Sequence, residues 1–376
     1  MSQFKDSIAQ SNVAYPIETV ITPMAGENYS RVMIFMNEAN AATYLPGVTS
    51  PAAGSLIELD SGNYGELTGG LLKKWLVPFF TKATAVKVGI ALFNTSDTTT
   101  PATYPLADVY EAKKMYAYFK FAIEEAAGYN TAQVNLSNLC KADPLYSTIW
   151  IGTSDTNVLT EESNLITALN EADSKARVVY NSNADINPAL AQLGATLSTA
   201  NATGTPVGNS MDMVAFNTIQ ASGAADADGE HANLSTTEKG ILDGQKIGYQ
   251  TWVGDGTENV VTEGSLCLNG DSVGANWVKA YIEYMCKIRT ANYITRMNMF
   301  RNNQTYQAIL LILSDVVNPF LQFGRLDGFQ ITAPSFDELP TSGDQITVPN
   351  AWEATYIDDV REVTVYGTLY ITQPTR

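Results

Sequence analysis

The segment Gly270-Asp-Ser-Val-Gly274 has the spacing Gly-x-Ser-x-Gly, which in many hydrolases places a nucleophilic serine on a tight turn between a strand and a helix. A strand-like stretch precedes Ser272 and a long helical pattern follows it. That class of hydrolase takes its histidine from a later part of the chain. The only histidine, His231, precedes Ser272. Because a serine without a positioned base is a weak nucleophile, the sequence favours a tight turn at a helix start over a hydrolase site.

A second motif, Asp226-Ala-Asp-Gly229, resembles part of a calcium-binding loop. With Gly229 at the sixth loop position, Ala224 would occupy position one and Ser235 position twelve. Neither residue carries the carboxylate that a calcium loop needs at these positions. The motif therefore predicts a solvated acidic loop and no metal site.

The cysteines, Cys140, Cys267 and Cys286, are scattered and form no Cys-x-x-Cys pair. An odd, scattered set argues against a disulfide framework and a structural zinc site, and favours buried free thiols. The sequence contains no Walker A loop, and no Gly-x-Gly-x-x-Gly follows the first predicted strand. We therefore predict no catalytic residues, no metal and no cofactor.

The chain has 376 residues and a formal net charge of −17. Such a charge repels nucleic acid, so nucleic-acid contact is not expected. The longest purely apolar run, Ala308–Leu313, is far too short to span a bilayer, and the N-terminus is polar. We expect a soluble protein made in a cytoplasm, without membrane insertion.

From residue 25 to 220, strand and helix patterns alternate, which predicts a largely parallel sheet covered by helices on both faces. The predicted strands are 31–36, 85–93, 147–152, 177–180 and 211–218, and the predicted helices are 67–79, 106–127, one from Thr160 and one from Asn187. A connection without regular structure is expected between the first strand and Gly65. The 106–127 helix follows from Val109, Tyr116 and Ile123 at helical spacing, with Gly128 as its stop.

Small and polar residues at 221–240 indicate a linker, followed by a second, α+β unit. Its predicted elements are strands 247–253 and 265–268, helices 276–297 and 304–322, a Pro/Gly-rich loop and a terminal strand. The predicted class is α/β, and α+β overall. Its parts are an N-terminal arm (1–24), an outer α/β domain (25–220), the linker (221–240), a core α+β domain (241–358) and a C-terminal arm strand (359–376).

Both predicted arms carry strand patterns. In the C-terminal arm, Val363, Val365, Leu369 and Ile371 alternate with Thr or Tyr residues. In the N-terminal arm, the strand-forming residues Ile17, Thr19 and Ile21 stand at alternate positions. A strand at a chain end can close the sheet of its own domain. It can also pair across a subunit boundary, because nothing downstream ties it back.

The predicted helix 276–297 begins a basic stretch in an acidic chain. Up to Arg301 it holds Lys279, Lys287, Arg289 and Arg296 against one acid, Glu283. This asymmetry suits either a solvated helix face or a docking face for an acidic partner.

From about residue 245 to the end, the chain resembles the C-terminal core of contractile phage tail sheath proteins. The features that carry the resemblance are the Gly270–Trp277 turn into the basic helix, the apolar helix within Phe300–Phe323, the Gly324–Gly328 turn and the ending Asp359–Ile371. The part before residue 245 fits the family more loosely.

The resemblance implies a structural, non-enzymatic subunit whose copies stack as rings around an inner tube. In the family, terminal arms add strands to neighbouring subunits, the core domain lies against the tube, and contraction drives the tube through the host envelope. The implied partners are other copies, the tail tube protein, and baseplate and tail terminator proteins, in a virion assembled in the host cytoplasm. The arm residues would make the inter-subunit contacts, and the basic helix would face the tube. A tube or baseplate protein, or a hydrolase using Ser272, stay open as alternatives.

Overall fold

The computed structural model describes residues 31–46, 48, 52–95, 102–114, 119–123, 131–142, 149–197, 214–216, 221–225, 227, 231–252, 260–264, 266–296, 302–322, 324–339 and 352–356. The predicted arms at 1–24 and 359–376 lie outside these residues. Three residues of the Asp226–Gly229 motif, Asp226, Asp228 and Gly229, also lie outside them.

Strands and helices alternate through most of the described chain. The strands are β1 Val32–Asn37, β2 Leu56–Leu59, β3 Val88–Phe93, β4 Phe119–Ile123, β5 Trp150–Thr153, β6 Arg177–Tyr180, β7 Val214–Phe216, β8 Gly248–Trp252, β9 Val260–Glu263, β10 Leu326–Ile331 and β11 Trp352–Tyr356. The helices are α1 Ala41–Tyr44, α2 Leu71–Lys82, α3 Leu106–Lys113, α4 Thr131–Ala142, α5 Asn164–Glu171, α6 Pro188–Leu197, α7 Thr236–Gly244, α8 Val273–Arg296 and α9 Asn303–Gln322. Short 3-10 turns lie at Glu38–Asn40, Tyr64–Glu66, Thr156–Thr160 and Phe336–Glu338.

Two hydrogen-bonded sheets are joined into one surface. Their strand orders are β2-β3-β1-β4 and β5-β6-β8-β9-β7. A parallel bridge between Lys120 and Ile149 connects β4 to β5. Strands β3, β1, β4, β5, β6 and β8 run parallel, while β2, β9 and β7 pair antiparallel at the two ends. The mixed α/β class and the mostly parallel sheet predicted from the sequence are confirmed.

The sheet continues across the predicted 221–240 linker. Strand β8 follows that segment, yet Val179 of β6 pairs with Gly248 of β8. The predicted boundary therefore does not separate two sheets. The other domain limits stay predictions.

Both faces of the sheet are buried. Along β1, Val32, Ile34 and Met36 contribute to one core, while Met33 and Phe35 contribute to the other. Since successive strand residues point to opposite faces, a continuous apolar strand marks a sheet covered on both sides. Helix α6 is buried along its whole length and packs between the sheet and α2.

The predicted single helix over 106–127 is wrong. Helix α3 ends at Lys113, and Phe119–Ile123 forms the central strand β4. The aromatic residues Phe119 and Phe121 lie two apart, so the same run satisfies the strand period as well as the helical one. Burial of both rings in the sheet favours the strand.

Other differences concern short elements. The helix expected from Thr160 begins at Asn164, because Thr156–Thr160 forms a 3-10 turn and Glu161 has a φ of 61°. Helix α4 was not predicted, and β2 lies in the connection expected to lack regular structure. The strand expected at 265–268 is reduced to a bridge at Leu266.

Gly194 permits the close approach of α6 to α2. A Cβ atom added there would lie 2.7 Å from Phe79 Cα, which is backbone that cannot move without shifting α2. We predict that Gly194→Ala lowers the free energy of unfolding by about 1–3 kcal/mol, as overpacked substitutions do. Urea denaturation of the purified chain measures this change.

Gly240 in α7 provides the matched control, since an added Cβ would meet nothing within 4 Å. Gly240→Ala should raise stability by about 0.5–1 kcal/mol, because alanine favours the helix. Equal effects of the two substitutions would contradict the packing argument.

Candidate assembly surface

Ser272 caps a helix. It immediately precedes α8, and its Oγ accepts a hydrogen bond from the Ala275 backbone N–H at 3.3 Å. The histidine is engaged elsewhere: His231 Nδ1 lies 2.8 Å from the Gly223 carbonyl oxygen and 2.9 Å from Ser182 Oγ. The geometry therefore supports the tight turn at a helix start and gives the hydrolase interpretation no base.

Ser182 and His231 form the closest approach to a serine–histidine pair in the described residues. Both side chains point at the same acceptor, because Ser182 Oγ also donates to the Gly223 carbonyl. Facing a carbonyl, His231 Nδ1 must carry the proton. It cannot then take a proton from Ser182, so this pair is a hydrogen-bonded loop anchor rather than a nucleophile and base.

The carboxyl edge of a parallel sheet is the usual ligand position in α/β folds. Here its polar groups bond to one another. Asn181 Nδ2 donates to Gln250 Oε1 at 2.6 Å, and the Gln250 N–H donates to Ser222 Oγ at 2.7 Å. After β1, Glu38 Oε2 accepts from the Ala53 N–H at 2.8 Å. This edge is closed by the chain's own contacts.

Two further findings concern ligands and membranes. Among the described residues, no group of three or more His, Cys, Asp or Glu side chains is placed to hold a metal ion. Within the same residues, no helix combines the length and apolarity needed to cross a bilayer.

Arg177 ties the sheet to the start of α8. It lies on β6 and is fully buried. Its Nε donates to Gln192 Oε1 at 3.2 Å, its Nη1 to the Leu266 carbonyl at 3.1 Å and its Nη2 to the Gly264 carbonyl. One guanidinium thus joins β6, α6 and the segment that leads into α8. Burial raises the pKa of the adjacent Cys267 thiol to about 12, although Arg177 acts in the opposite direction.

The first half of α8 is fixed by aromatic packing. The Trp277 ring lies 6.1 Å from Phe119 of β4, between ring centroids. On the next turn, Tyr281 meets Phe320 of α9 edge to face at 5.5 Å. Helix α8 is therefore held between the sheet and α9.

Two of the four predicted tube-facing residues can be placed. Lys279 and Arg289 are exposed on α8. Lys287 and Arg296 belong to the same helix, but their side chains are outside the described set. Burial raises the pKa of Glu283, and Lys279 partly offsets this effect. Lys279 and Arg289 thus place two cations on the described exposed part of α8, and the proposed basic face and its role stay predictions.

Strands β10 and β11 form a two-stranded antiparallel ribbon, which the sequence did not predict. Ile331 pairs with Trp352 and Leu326 with Tyr356, with an irregularity between Asp327 and Gln330. In the described part of the chain, each strand pairs only with the other. Within the described residues, both outer edges of the ribbon therefore lack a strand partner.

The β2 end of the main sheet is different. Asn63 Nδ2 donates to the Glu58 carbonyl at 3.2 Å, and Asn63 Oδ1 accepts from the Asp60 N–H at 2.7 Å. This turn occupies the edge strand and obstructs pairing with another chain.

The predicted arm contacts cannot be compared with this geometry. Ile17, Thr19, Ile21, Val363, Val365, Leu369 and Ile371 all lie outside the described residues.

Comparison with proteins of known structure identifies the fold of this chain. No family model matches the sequence, and no curated protein matches it. The helical sheath of the anti-feeding prophage in its contracted state matches with a TM-score of 0.63 and 10% identity, over 92% of this chain and 96% of that one. A chain of the six-fold symmetrised baseplate of the same prophage matches with a TM-score of 0.62 and 10% identity, over 92% and 94%.

The chain therefore has the sheath-type fold of a contractile tail-like system. The resemblance that the C-terminal third predicted is confirmed at the level of the fold. It also extends over the α/β part, which had fitted the family only loosely.

The two interpretations of Ser272 predict different mutant behaviour. Ser272→Ala removes the cap and should lower the free energy of unfolding by about 1 kcal/mol. Ser272→Asp keeps a side-chain acceptor at the helix start and should stay close to wild type. Urea denaturation of both variants checks this expectation. Ester hydrolysis lost in both variants, with stability unchanged, would contradict the capping role.

Proposed function

We propose that this protein is a structural subunit of a contractile phage tail sheath and not an enzyme. Copies would stack as rings around an inner tail tube, and contraction would drive the tube through the host envelope. The observation that carries this proposal is the match to a helical sheath over 92% of the chain. The self-satisfied polar edge of the sheet and the capping role of Ser272 are consistent with it.

The β10–β11 ribbon is the proposed site of strand exchange between subunits. The ribbon packs on the main core through Leu326, Phe329 and Trp352, so it would offer a supported edge to which a further strand could be added. The C-terminal arm supplies a suitable strand, with Val363, Val365, Leu369 and Ile371 on one face. The N-terminal arm, through Ile17, Thr19 and Ile21, is the proposed second donor.

The energetics of such an exchange favour side chains over the ladder. About five ladder bonds at about 1 kcal/mol each contribute about 5 kcal/mol. Burial of four apolar side chains adds about 6–12 kcal/mol. The side chains would hold the arm in place, and the ladder would set its register.

The proposed partners are other copies, the tail tube protein, and baseplate and tail terminator proteins. Lys279, Lys287, Arg289 and Arg296 are proposed to include the tube contact, held weakly enough to release. The particle would be a virion assembled in the host cytoplasm. With no nucleotide site predicted, energy for contraction would come from an extended state that is a kinetic trap, with larger subunit interfaces after firing.

A baseplate subunit is the second candidate. The match to a baseplate structure, with a TM-score of 0.62, is nearly as good as the sheath match. Polymerisation separates the two candidates. A sheath subunit should form hollow tubes of indefinite length by itself, whereas a baseplate subunit should form closed assemblies of fixed size. Negative-stain microscopy of the purified chain distinguishes these outcomes.

Removal of residues 359–376 tests strand exchange. We predict that the truncated chain no longer polymerises, because the proposed donor strand is lost, and that it stays a folded monomer. Sedimentation velocity and negative-stain microscopy report the assembly, and circular dichroism reports the fold. A truncated chain that still forms tubes at wild-type concentrations would refute this role of the C-terminal arm.

Charge reversal tests the proposed tube contact. The double variant Arg289→Glu and Arg296→Glu should still polymerise alone but fail to assemble on the tail tube, because its contact with an acidic tube surface becomes repulsive. The double variant Lys82→Glu and Lys113→Glu makes the same change in net charge on other helices and should assemble normally. Co-sedimentation with purified tubes is the measurement. Normal co-assembly of the Arg289/Arg296 variant would remove these residues from the contact.

A further inference from the structure

Helix α9 presents an outward face that is nearly free of charge. At helical spacing this face, here called the amide face, consists of Gln304, Gln307, Ala308, Leu311, Ser314, Asp315, Asn318 and Gln322. All of these residues are exposed or partly exposed. Asp315 is the single ionisable member, and Leu311, near the middle, is 63% exposed.

The orientation of α9 is fixed from its other side. Tyr306, Leu313, Val316, Val317 and Phe320 are buried. Phe320 meets Tyr281 of α8, and the Tyr306 hydroxyl donates to the Pro334 carbonyl. The exposure of Leu311 therefore follows from how α9 is anchored. Rotating the helix to bury Leu311 would expose that aromatic and aliphatic row.

A lone exposed leucine is ordinary on a protein surface. The surroundings of Leu311 are less ordinary, because the face runs from Gln304 to Gln322, about 27 Å at 1.5 Å per residue. Other exposed helices of this chain carry charges, such as Lys279 and Arg289 on α8. Depletion of charged residues around an apolar centre is typical of the buried part of a protein–protein interface.

We propose that the amide face packs against a second copy of this chain, through a contact separate from the strand exchange and from the basic helix. This inference rests on the proposed function, since it requires that the chain self-assembles. The face would bury Leu311 in the neighbour, with the amide side chains hydrogen-bonding around it.

The low charge of the amide face favours a second copy of this chain as its partner. Two copies that each carry a net charge of −17 repel one another, so they approach with least cost where each brings few ionised groups. A basic partner would gain almost nothing from a face with one carboxylate, and an acidic partner would find no cation on it. In a ring the contact is heterologous, so the amide face would meet a different surface of the neighbour, and the charge argument concerns the face that carries Leu311.

The test is the full-length Leu311→Glu variant, compared with Val77→Glu. Val77 lies on α2 and is 40% exposed, so it offers the same type of change on another helix. Leu311→Glu should raise the concentration needed for polymerisation about tenfold or more, which corresponds to the loss of about 1.4 kcal/mol per contact. Val77→Glu should leave that concentration unchanged. Light scattering with microscopy measures polymerisation, and circular dichroism confirms the fold of both variants.

The alternative outcomes are distinct. If Leu311→Glu polymerises like wild type, the inference is overturned while the proposed function stands. If the wild-type chain does not polymerise at all, the proposed function itself fails. Leu311→Glu that polymerises alone but no longer assembles on the tail tube would assign the face to the tube. If Leu311→Glu fails to fold, Leu311→Gln, which matches the neighbouring residues, replaces it, and an unchanged polymerisation concentration again overturns the inference.

Discussion

The placement of every proposed contact surface depends on the buried guanidinium of Arg177. It satisfies the carbonyls of Gly264 and Leu266 from within the sheet, and it also binds Gln192 of α6. A buried carbonyl left without a donor costs about 1–3 kcal/mol, so the segment before α8 is held firmly against β6. Because α9 packs on α8 and the β10–β11 ribbon follows α9, Arg177 acts together with the Trp277–Phe119 and Tyr281–Phe320 contacts to set where the helices and the ribbon stand relative to the α/β sheet.

Hydrogen bonding within the chain also explains why the described residues at the parallel sheet form no evident catalytic or ligand site. At its carboxyl edge, Asn181 and Gln250 bond to each other, and Glu38 binds a backbone N–H of its own loop. The serine and histidine that do meet share a carbonyl acceptor and cannot exchange a proton productively. In the proposed role the fold would serve as a rigid scaffold, and its contacts would be made by strand edges and helix faces.

The sequence predicted the elements whose pattern has one interpretation. Strands β1, β3 and β6 are mostly apolar and are buried. The periodicities of α8 and α9 predicted helices within a few residues of those observed. The helix predicted over residues 106–127 was wrong because Phe119 and Ile123 fit both the helical and the strand period. Only the pairing of β4 within the sheet decides between the two structures. The ribbon was missed because Leu-Asp-Gly-Phe-Gln-Ile alternates poorly, and its strands exist through pairing with residues about 25 positions away. The position of Arg177 could have predicted a buried hydrogen-bonded contact, since a cation within an apolar strand must find buried acceptors.

The three proposed contacts differ in the physics that holds them, and contraction requires such a difference. A strand pairing with four buried apolar side chains is strong and insensitive to charge, so it would persist while subunits move. A contact through exposed cations such as Arg289 is screened by salt and released at low cost, which suits a surface that must leave the tube. An uncharged helix face lies between these extremes: it holds by packing alone, over an area that can be separated and formed again. In the proposed sheath, a subunit with a net charge of −17 would then rearrange within the ring without relying on ion pairs between its own copies.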